Sequence, residues 1–215
     1  MRQRQSFSFE LGIRAHVEAW APPEPAYCLI AYHGYAEAAL APLAALRRAG
    51  LDDGVLLAPL APHHFYNRRG EVVGSWMTSF ERDQRVEELL DHGRALWQEV
   101  LRLWGELPLF LFGFSQGGAN AYRIALLAGL PVRRCFVLGA DQPPEVSQLQ
   151  AAVGGPALTL MTGREDAASL AQTMENDHRS LAERRYNVER LSIQGGHEYS
   201  PEALELLHRR IRDDL

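Results

Sequence analysis

Five short apolar runs constrain this chain more than any other feature: residues 27–32, 55–58, 109–112, 135–138 and 157–161, each bounded by Gly or Pro. Apolar runs of this length without alternation belong to strands covered on both faces. Between them lie stretches of helical period. The clearest has Val86, Leu89, Leu90, Gly93, Leu96, Trp97, Val100 and Leu101 recurring on one face. Strand and helix patterns alternate from about residue 26 onward, which predicts an α/β protein with a mostly parallel central sheet and helices on both faces. The opening departs from this. Residues 6–11 and 13–20 alternate apolar and polar positions around Gly12, predicting an N-terminal antiparallel hairpin at a sheet edge. A run of prolines, Pro22, Pro23 and Pro25, then breaks the pattern. Residues 188–193 predict a last strand near an edge.

Local signals place the helix ends. Thr78 and Glu81 have the spacing of a capping box ahead of the long helix. A helix over 119–128 stops at Gly129 and Pro131, and Ser169 with Gln172 predicts the cap of another. Ser200-Pro201-Glu202 opens the last helix, with proline at its first position. No repeat or linker interrupts the pattern, so residues 1–215 read as one domain. Residues 59–77 lack periodicity and are long for a connection. They carry Phe65, Tyr66 and Trp76 beside Arg68 and Arg69, and read either as a rim or short lid over a site or as an aromatic-anchored structural loop.

Composition removes several function classes. All 22 basic residues are arginine, so Schiff-base chemistry and a phosphate-loop lysine are absent. A net charge of −5 with no long basic run argues against nucleic acid as a partner. The N-terminal residues have no apolar stretch behind their arginines, and no run approaches a membrane span. Cys28 and Cys135 sit inside apolar runs as small hydrophobes, which fits a reduced, cytoplasmic setting without a disulfide. His33, His63 and His64 lack metal-ligand spacing, so no metal and no cofactor are expected.

Gly113-Phe114-Ser115-Gln116-Gly117 matches G-x-S-x-G. By composition alone the pattern arises by chance in on the order of one such chain in fifteen, so its context has to decide. It directly follows the apolar run 109–112 and opens the helix over 119–128, the strand, turn and helix of a nucleophile elbow. Ser115 is thereby turned outward, and the backbone N–H of Gln116 faces the site from a helix N-terminus, where an oxyanion is stabilised.

On an elbow of this kind the partners follow the serine in the order acid, histidine. Of the histidines after Ser115, His178 and His208 fall in amphipathic helical stretches. His197 follows Gly195-Gly196 between the last strand and the last helix, a loop from which an imidazole reaches across strand ends. Asp166, after the run 157–161, is the favoured acid, with Asp141 and Glu165 as rivals. Each of the aspartates is also a plain helix-cap candidate. The second oxyanion donor is expected after the first parallel strand, at His33-Gly34-Tyr35, through the Tyr35 N–H.

These residues together resemble the phospholipase/carboxylesterase family of α/β-hydrolases, which includes small bacterial carboxylesterases and acyl-protein thioesterases. The resemblance spans most of the chain. It rests on Gly113-Phe114-Ser115-Gln116-Gly117-Gly118, the turn from Gly163 to Asp166, and Gly196-His197-Glu198. It implies the α/β-hydrolase fold and cofactor-free hydrolysis of esters or thioesters of small to medium acyl chains. Ser115 would be nucleophile, His197 base, Asp166 its orienting acid, and Tyr35 and Gln116 backbone oxyanion donors. Trp76 resembles a tryptophan that many members carry ahead of the long helix, and with Phe65 it is the expected substrate-binding pair. Many members follow His-Gly with a second glycine and an acidic residue, whereas this chain reads His33-Gly34-Tyr35-Ala36-Glu37, and Tyr35 narrows the acyl side. A catalytically silent binding module on the same fold, and a peptidase or acyltransferase with the same triad, remain rival readings.

Overall fold

Every one of the five apolar runs is a strand of one sheet in the computed structural model, which describes Gly12, residues 14–151 and residues 153–215. In chain order the elements are β1 (Val17–Trp20), β2 (Cys28–Tyr32), α1 (Leu40–Arg48), β3 (Val55–Pro59), β4 (His63–Tyr66), β5 (Val72–Ser75) and α2 (Arg82–Trp104). There follow β6 (Leu109–Phe114), α3 (Gln116–Leu127), β7 (Val132–Leu138), β8 (Ala157–Gly163), α4 (Ala168–Glu183), β9 (Val188–Ile193) and α5 (Pro201–Asp214). The 7-stranded sheet has the order β1-β3-β2-β6-β7-β8-β9. Neighbours are parallel throughout except β1, which lies antiparallel on β3 with Val17 opposite Pro59.

Period-two alternation sorts the strand side chains between two layers. Cys28, Ile30, Tyr32, Leu109 and Leu111 pack with Val86, Leu89 and Trp97 of α2, Ile124 of α3 and Met174 of α4. Leu29, Ala31, Phe110, Phe112 and Phe114 face the other way, onto Leu43 and Leu46 of α1 and Leu204, Leu207 and Ile211 of α5. Central strands covered on both faces need both kinds of position apolar, which is why these runs do not alternate in sequence. Burying each such Leu or Phe contributes about 1.5–3 kcal/mol.

The differences from expectation are local. Residues 6–11 lie outside the described residues, and Val17–Trp20 is an antiparallel edge strand as the second half of the expected hairpin. Residues 59–77 hold an unforeseen hairpin, β4 on β5, turned by Asn67, whose side-chain oxygen accepts from the N–H groups of Arg69 and Glu71. Its strands are too short and β4 too exposed to leave a period. The capping box is not formed. Thr78 donates to the Phe80 carbonyl, and α2 begins after Glu81, which has left-handed backbone and no side-chain cap. Ser169 likewise falls inside α4 rather than at its cap. Ser200 does cap α5, accepting from Ala203 N–H at 3.3 Å ahead of Pro201.

From β2 the chain moves through α1 to β3 on one side, and from β6 through α3 to β7 on the other. Because β2 and β6 are neighbours, their C-terminal ends open a crevice where connections diverge, the usual position of a ligand in open α/β sheets. The loop holding Tyr35 follows β2, and Ser115 follows β6.

Candidate active site

Ser115 is the single residue between β6 and α3, with φ 53° and ψ −125°. A side chain at positive φ costs about 1–3 kcal/mol and persists only where its surroundings over-determine it. Here they do. Ser115 N–H donates to Leu138 O at 2.9 Å, and Gly118 N–H donates to Ser115 O at 2.8 Å. The glycines of the motif are required by close approach. A Cβ at Gly113 would stand 2.3 Å from Gly117 O, and one at Gly117 would stand 2.1 Å from Tyr32 O. The elbow is therefore pressed against the end of β2. Gln116 adds a tie that the sequence did not suggest: its side-chain oxygen accepts from Trp76 N–H at 2.8 Å, and its amide donates to Ser75 Oγ at 3.1 Å.

Asp166 and His197 meet across the ends of β8 and β9, with His197 Nδ1 at 3.1 Å from Asp166 Oδ2. The Asp166 side chain is 6% exposed and that of His197 42%, so the carboxylate is fixed beneath a ring that faces outward. With Nδ1–H donating to Asp166, Nε2 keeps its lone pair as a proton acceptor. Asp166 Oδ1 accepts from Ala167 N–H at 2.9 Å. The two loops are in backbone contact, Glu165 N–H donating to Gly195 O at 3.0 Å and Arg164 N–H to Ile193 O at 2.9 Å.

These residues and Ser115 converge. The His197 ring lies 4.8 Å from that of Phe114, the residue before Ser115. Gly139 follows the carbonyl that accepts from Ser115 N–H, and a Cβ on it would meet the His197 ring at 2.9 Å and Asp166 Oδ2 at 3.5 Å. No hydrogen bond joins Ser115 Oγ to His197 among the described residues; such bonds often tighten only when substrate binds. The rival acids Asp141 and Glu165 are exposed and make no bond to His197, while His178 and His208 lie on α4 and α5.

The expected oxyanion loop is held from behind. His33 is fully buried. Its Nε2 accepts from Ala61 N–H at 3.0 Å, which puts the proton on Nδ1, and Nδ1–H donates to Gly34 O at 2.7 Å. Burial pushes its pKa below the ordinary imidazole value, so the ring is held neutral. Gly34 C=O and Tyr35 N–H belong to one peptide plane and point in opposite directions. Holding the carbonyl therefore aims the Tyr35 N–H away from His33, and no protein acceptor engages that N–H among the described residues. Nδ1 carries the proton and the Nε2 lone pair is engaged by Ala61 N–H, so both His33 nitrogens are committed to backbone groups.

Trp76 requires a correction as a substrate-binding residue. It is fully buried, its indole N–H donates to His33 O at 2.8 Å, and its ring lies edge-on to Tyr32 at 5.2 Å. It braces the loop after β2 from below and has no surface to offer a substrate. Phe65, on β4, is 39% exposed and lies 6.0 Å from the ring of Tyr35, itself 62% exposed. These two form an aromatic lip beside the loop. Sequence reasoning also missed Glu37 and Tyr199. Glu37 Oε2 accepts from Gly34 N–H at 2.8 Å and from Tyr199 O–H at 2.6 Å. Two grooves lie elsewhere, one of about 330 Å³ between β1 and α2 and one of about 540 Å³ at the far end of β7, and neither includes Ser115.

No family model matches this chain, and no curated protein matches it in sequence. Solved structures do. The chain is similar to the esterase PE8, with 22% identity and a TM-score of 0.72 over 94% of this chain and 100% of that one. It is similar to acyl-protein thioesterase 2 of Zea mays, with 16% identity and a TM-score of 0.72 over 94% and 98%. It also resembles the carboxylesterase from Mesorhizobium loti, with 18% identity and a TM-score of 0.68 over 88% and 90%. At these identities the likeness establishes the fold, and the chain has the α/β-hydrolase fold. No helix among the described residues is long and apolar enough to cross a membrane.

Proposed function

We propose that this chain is a serine hydrolase that cleaves carboxylic esters or thioesters of small to medium acyl chains through Ser115, His197 and Asp166. The observation that carries the reading is the strained backbone of Ser115, wedged between β6 and α3 with the bonded Asp166–His197 pair against the adjoining residues. Backbone strain of this kind clusters at functional sites, and here it presents a serine hydroxyl at the end of a strand. The esterase and thioesterase names of the similar structures suggest the class of bond cleaved.

His197 Nε2 takes the Ser115 proton as Oγ attacks the carbonyl carbon, and the carbonyl electron pair moves to oxygen. The N–H groups of Tyr35 and Gln116 stabilise that oxyanion. The carbonyl re-forms, the bond to the leaving alcohol or thiol breaks, and His197 returns the proton to it. Water then repeats the sequence on the acyl-enzyme, releasing the acid and restoring Ser115. Asp166 holds the imidazole in the required tautomer throughout. The exposed Tyr35 and Phe65 rings, on the lip beside the loop after β2, support substrates of small to medium acyl length. The free, buried Cys28 and Cys135 support a reducing, cytoplasmic setting.

Hydrolysis of p-nitrophenyl esters and acyl thioesters of two to twelve carbons, against peptide amides, tests this. Turnover of short esters or thioesters that vanishes in Ser115→Ala is expected. Amide turnover alone, or turnover retained in Ser115→Ala, would overturn it.

A further inference from the structure

Two loops meet on Phe114 at the end of β6, and one hydrogen-bonded pair joins them. A Cβ on Gly34 would stand 3.3 Å from Phe114 Cδ1, so the loop after β2 lies against one part of that ring. His197 and Tyr199, both on the loop after β9, lie on it at 4.8 and 4.5 Å. Glu37 and Tyr199 are 162 residues apart in sequence, yet the Tyr199 hydroxyl donates to the same Glu37 oxygen that accepts from Gly34 N–H. Each end of this contact is itself anchored. Glu37 is bridged to Gly74 of β5, Gly74 N–H donating to Glu37 O at 3.1 Å. Tyr199 immediately precedes Ser200, the cap of α5.

We propose that Glu37 and Tyr199 are positioning residues, a strut that sets the oxyanion loop and the His197 loop at a fixed separation across Phe114. This rests on the serine-hydrolase reading of Ser115 and His197. Gly34 N–H is one peptide before the Tyr35 N–H. His33 fixes the later peptide through its carbonyl, and Glu37 fixes the earlier one through its N–H, so the two together define the direction of the donor. Without the strut, the plane carrying the Tyr35 N–H and the loop carrying His197 relax separately. Burial and the neighbouring Glu37 push the Tyr199 phenol far above its ordinary range, so it remains a donor at any working pH. A negative charge close to a developing oxyanion opposes it, so the strut requires the acceptor oxygen of Glu37 and not its charge. Glutamine at this position supplies that oxygen.

The test is the second-order rate at which a fluorophosphonate labels Ser115, read by intact mass, alongside the Tm of each variant. In this reaction Ser115 Oγ bonds to phosphorus, the P–F bond breaks, fluoride leaves and His197 takes the serine proton. The phosphoryl oxygen gains charge in the oxyanion site. Tyr199→Phe, which keeps the ring on Phe114, and Glu37→Ala are each expected to slow labelling about tenfold at temperatures well below Tm. The double variant should be little slower than either single one, because both remove the same contact. Glu37→Gln should restore the rate to within about threefold of wild type, a rescue that a purely structural role does not require. Labelling of Tyr199→Phe and Glu37→Ala at the wild-type rate would overturn the strut while leaving the serine-hydrolase reading intact. If one of those variants fails to fold, the other and Glu37→Gln decide the matter. Wild-type protein that takes no label at all would contradict the hydrolase reading, and the strut with it.

Discussion

Ser115 and His197 are held in opposite ways. Around Ser115 the backbone leaves no freedom: β6 is buried along its whole length, and Gly113 and Gly117 lie too close to other backbone atoms to bear a Cβ. His197 stands on a loop with its side chain 42% exposed, oriented by one carboxylate and one aromatic ring. Ser115 is held by the packed sheet, and His197 by a few side chains on its rim. Substitutions near Ser115 should therefore change stability and activity together or in opposition, whereas those near His197 should change activity with little effect on stability.

The largest expected effect tests the first half of that contrast. Ser115→Gly removes the hydroxyl and also the penalty for positive φ, so hydrolysis should fall by about three powers of ten or more while stability rises by about 1 kcal/mol. Denaturant unfolding beside an esterase assay would check it, and an unchanged or lowered midpoint would mean the elbow is not strained. Asp166→Asn tests the second half. Losing the acceptor that selects the His197 tautomer should lower kcat by about 10²–10⁴ with a Tm change of only a few degrees. A variant that unfolds instead would show Asp166 to be a structural cap.

A smaller effect concerns pH. Burial holds the His33 pKa below its unfolded value, so the unfolded chain takes up the proton first. The stability His33 contributes is intact above the unfolded imidazole value, about 6.5, and is lost as pH falls below it. Protonation would also set Nε2–H against the Ala61 N–H. His63 and His92 shift in the same direction, again chiefly by burial. Tm should thus fall from pH 7 to pH 5, and less steeply in His92→Phe; a flat or rising Tm would contradict it. The smallest effect is at the lip. Phe65→Ala should shift the preferred acyl length by a few carbons while altering kcat for the shortest ester by less than about threefold. An unchanged chain-length series would remove Phe65 from substrate binding.

The same contrast explains what was legible in the sequence. A motif like Gly113 to Gly117 is readable because close backbone approach admits only glycine, and buried central strands are readable because both faces must be apolar. Asp166 and His197 were legible only through chain order and loop position, since an Asp or His ahead of a helix has ordinary uses as well. The β4–β5 hairpin left no period because few of its side chains are buried. The place of Trp76 along the chain suggests substrate contact because it does not reveal that the indole points inward to His33. Glu37 and Tyr199 could not be read at all. Their pairing spans most of the chain, and nothing local to either residue specifies the other.

The most direct measurement of the central claim is the intact mass of wild type and Ser115→Ala after exposure to a fluorophosphonate. A single adduct on wild type and none on Ser115→Ala is the expected result, and it would establish an activated serine at position 115. A folded wild type that takes no adduct, or a Ser115→Ala variant that still takes one, would contradict the account.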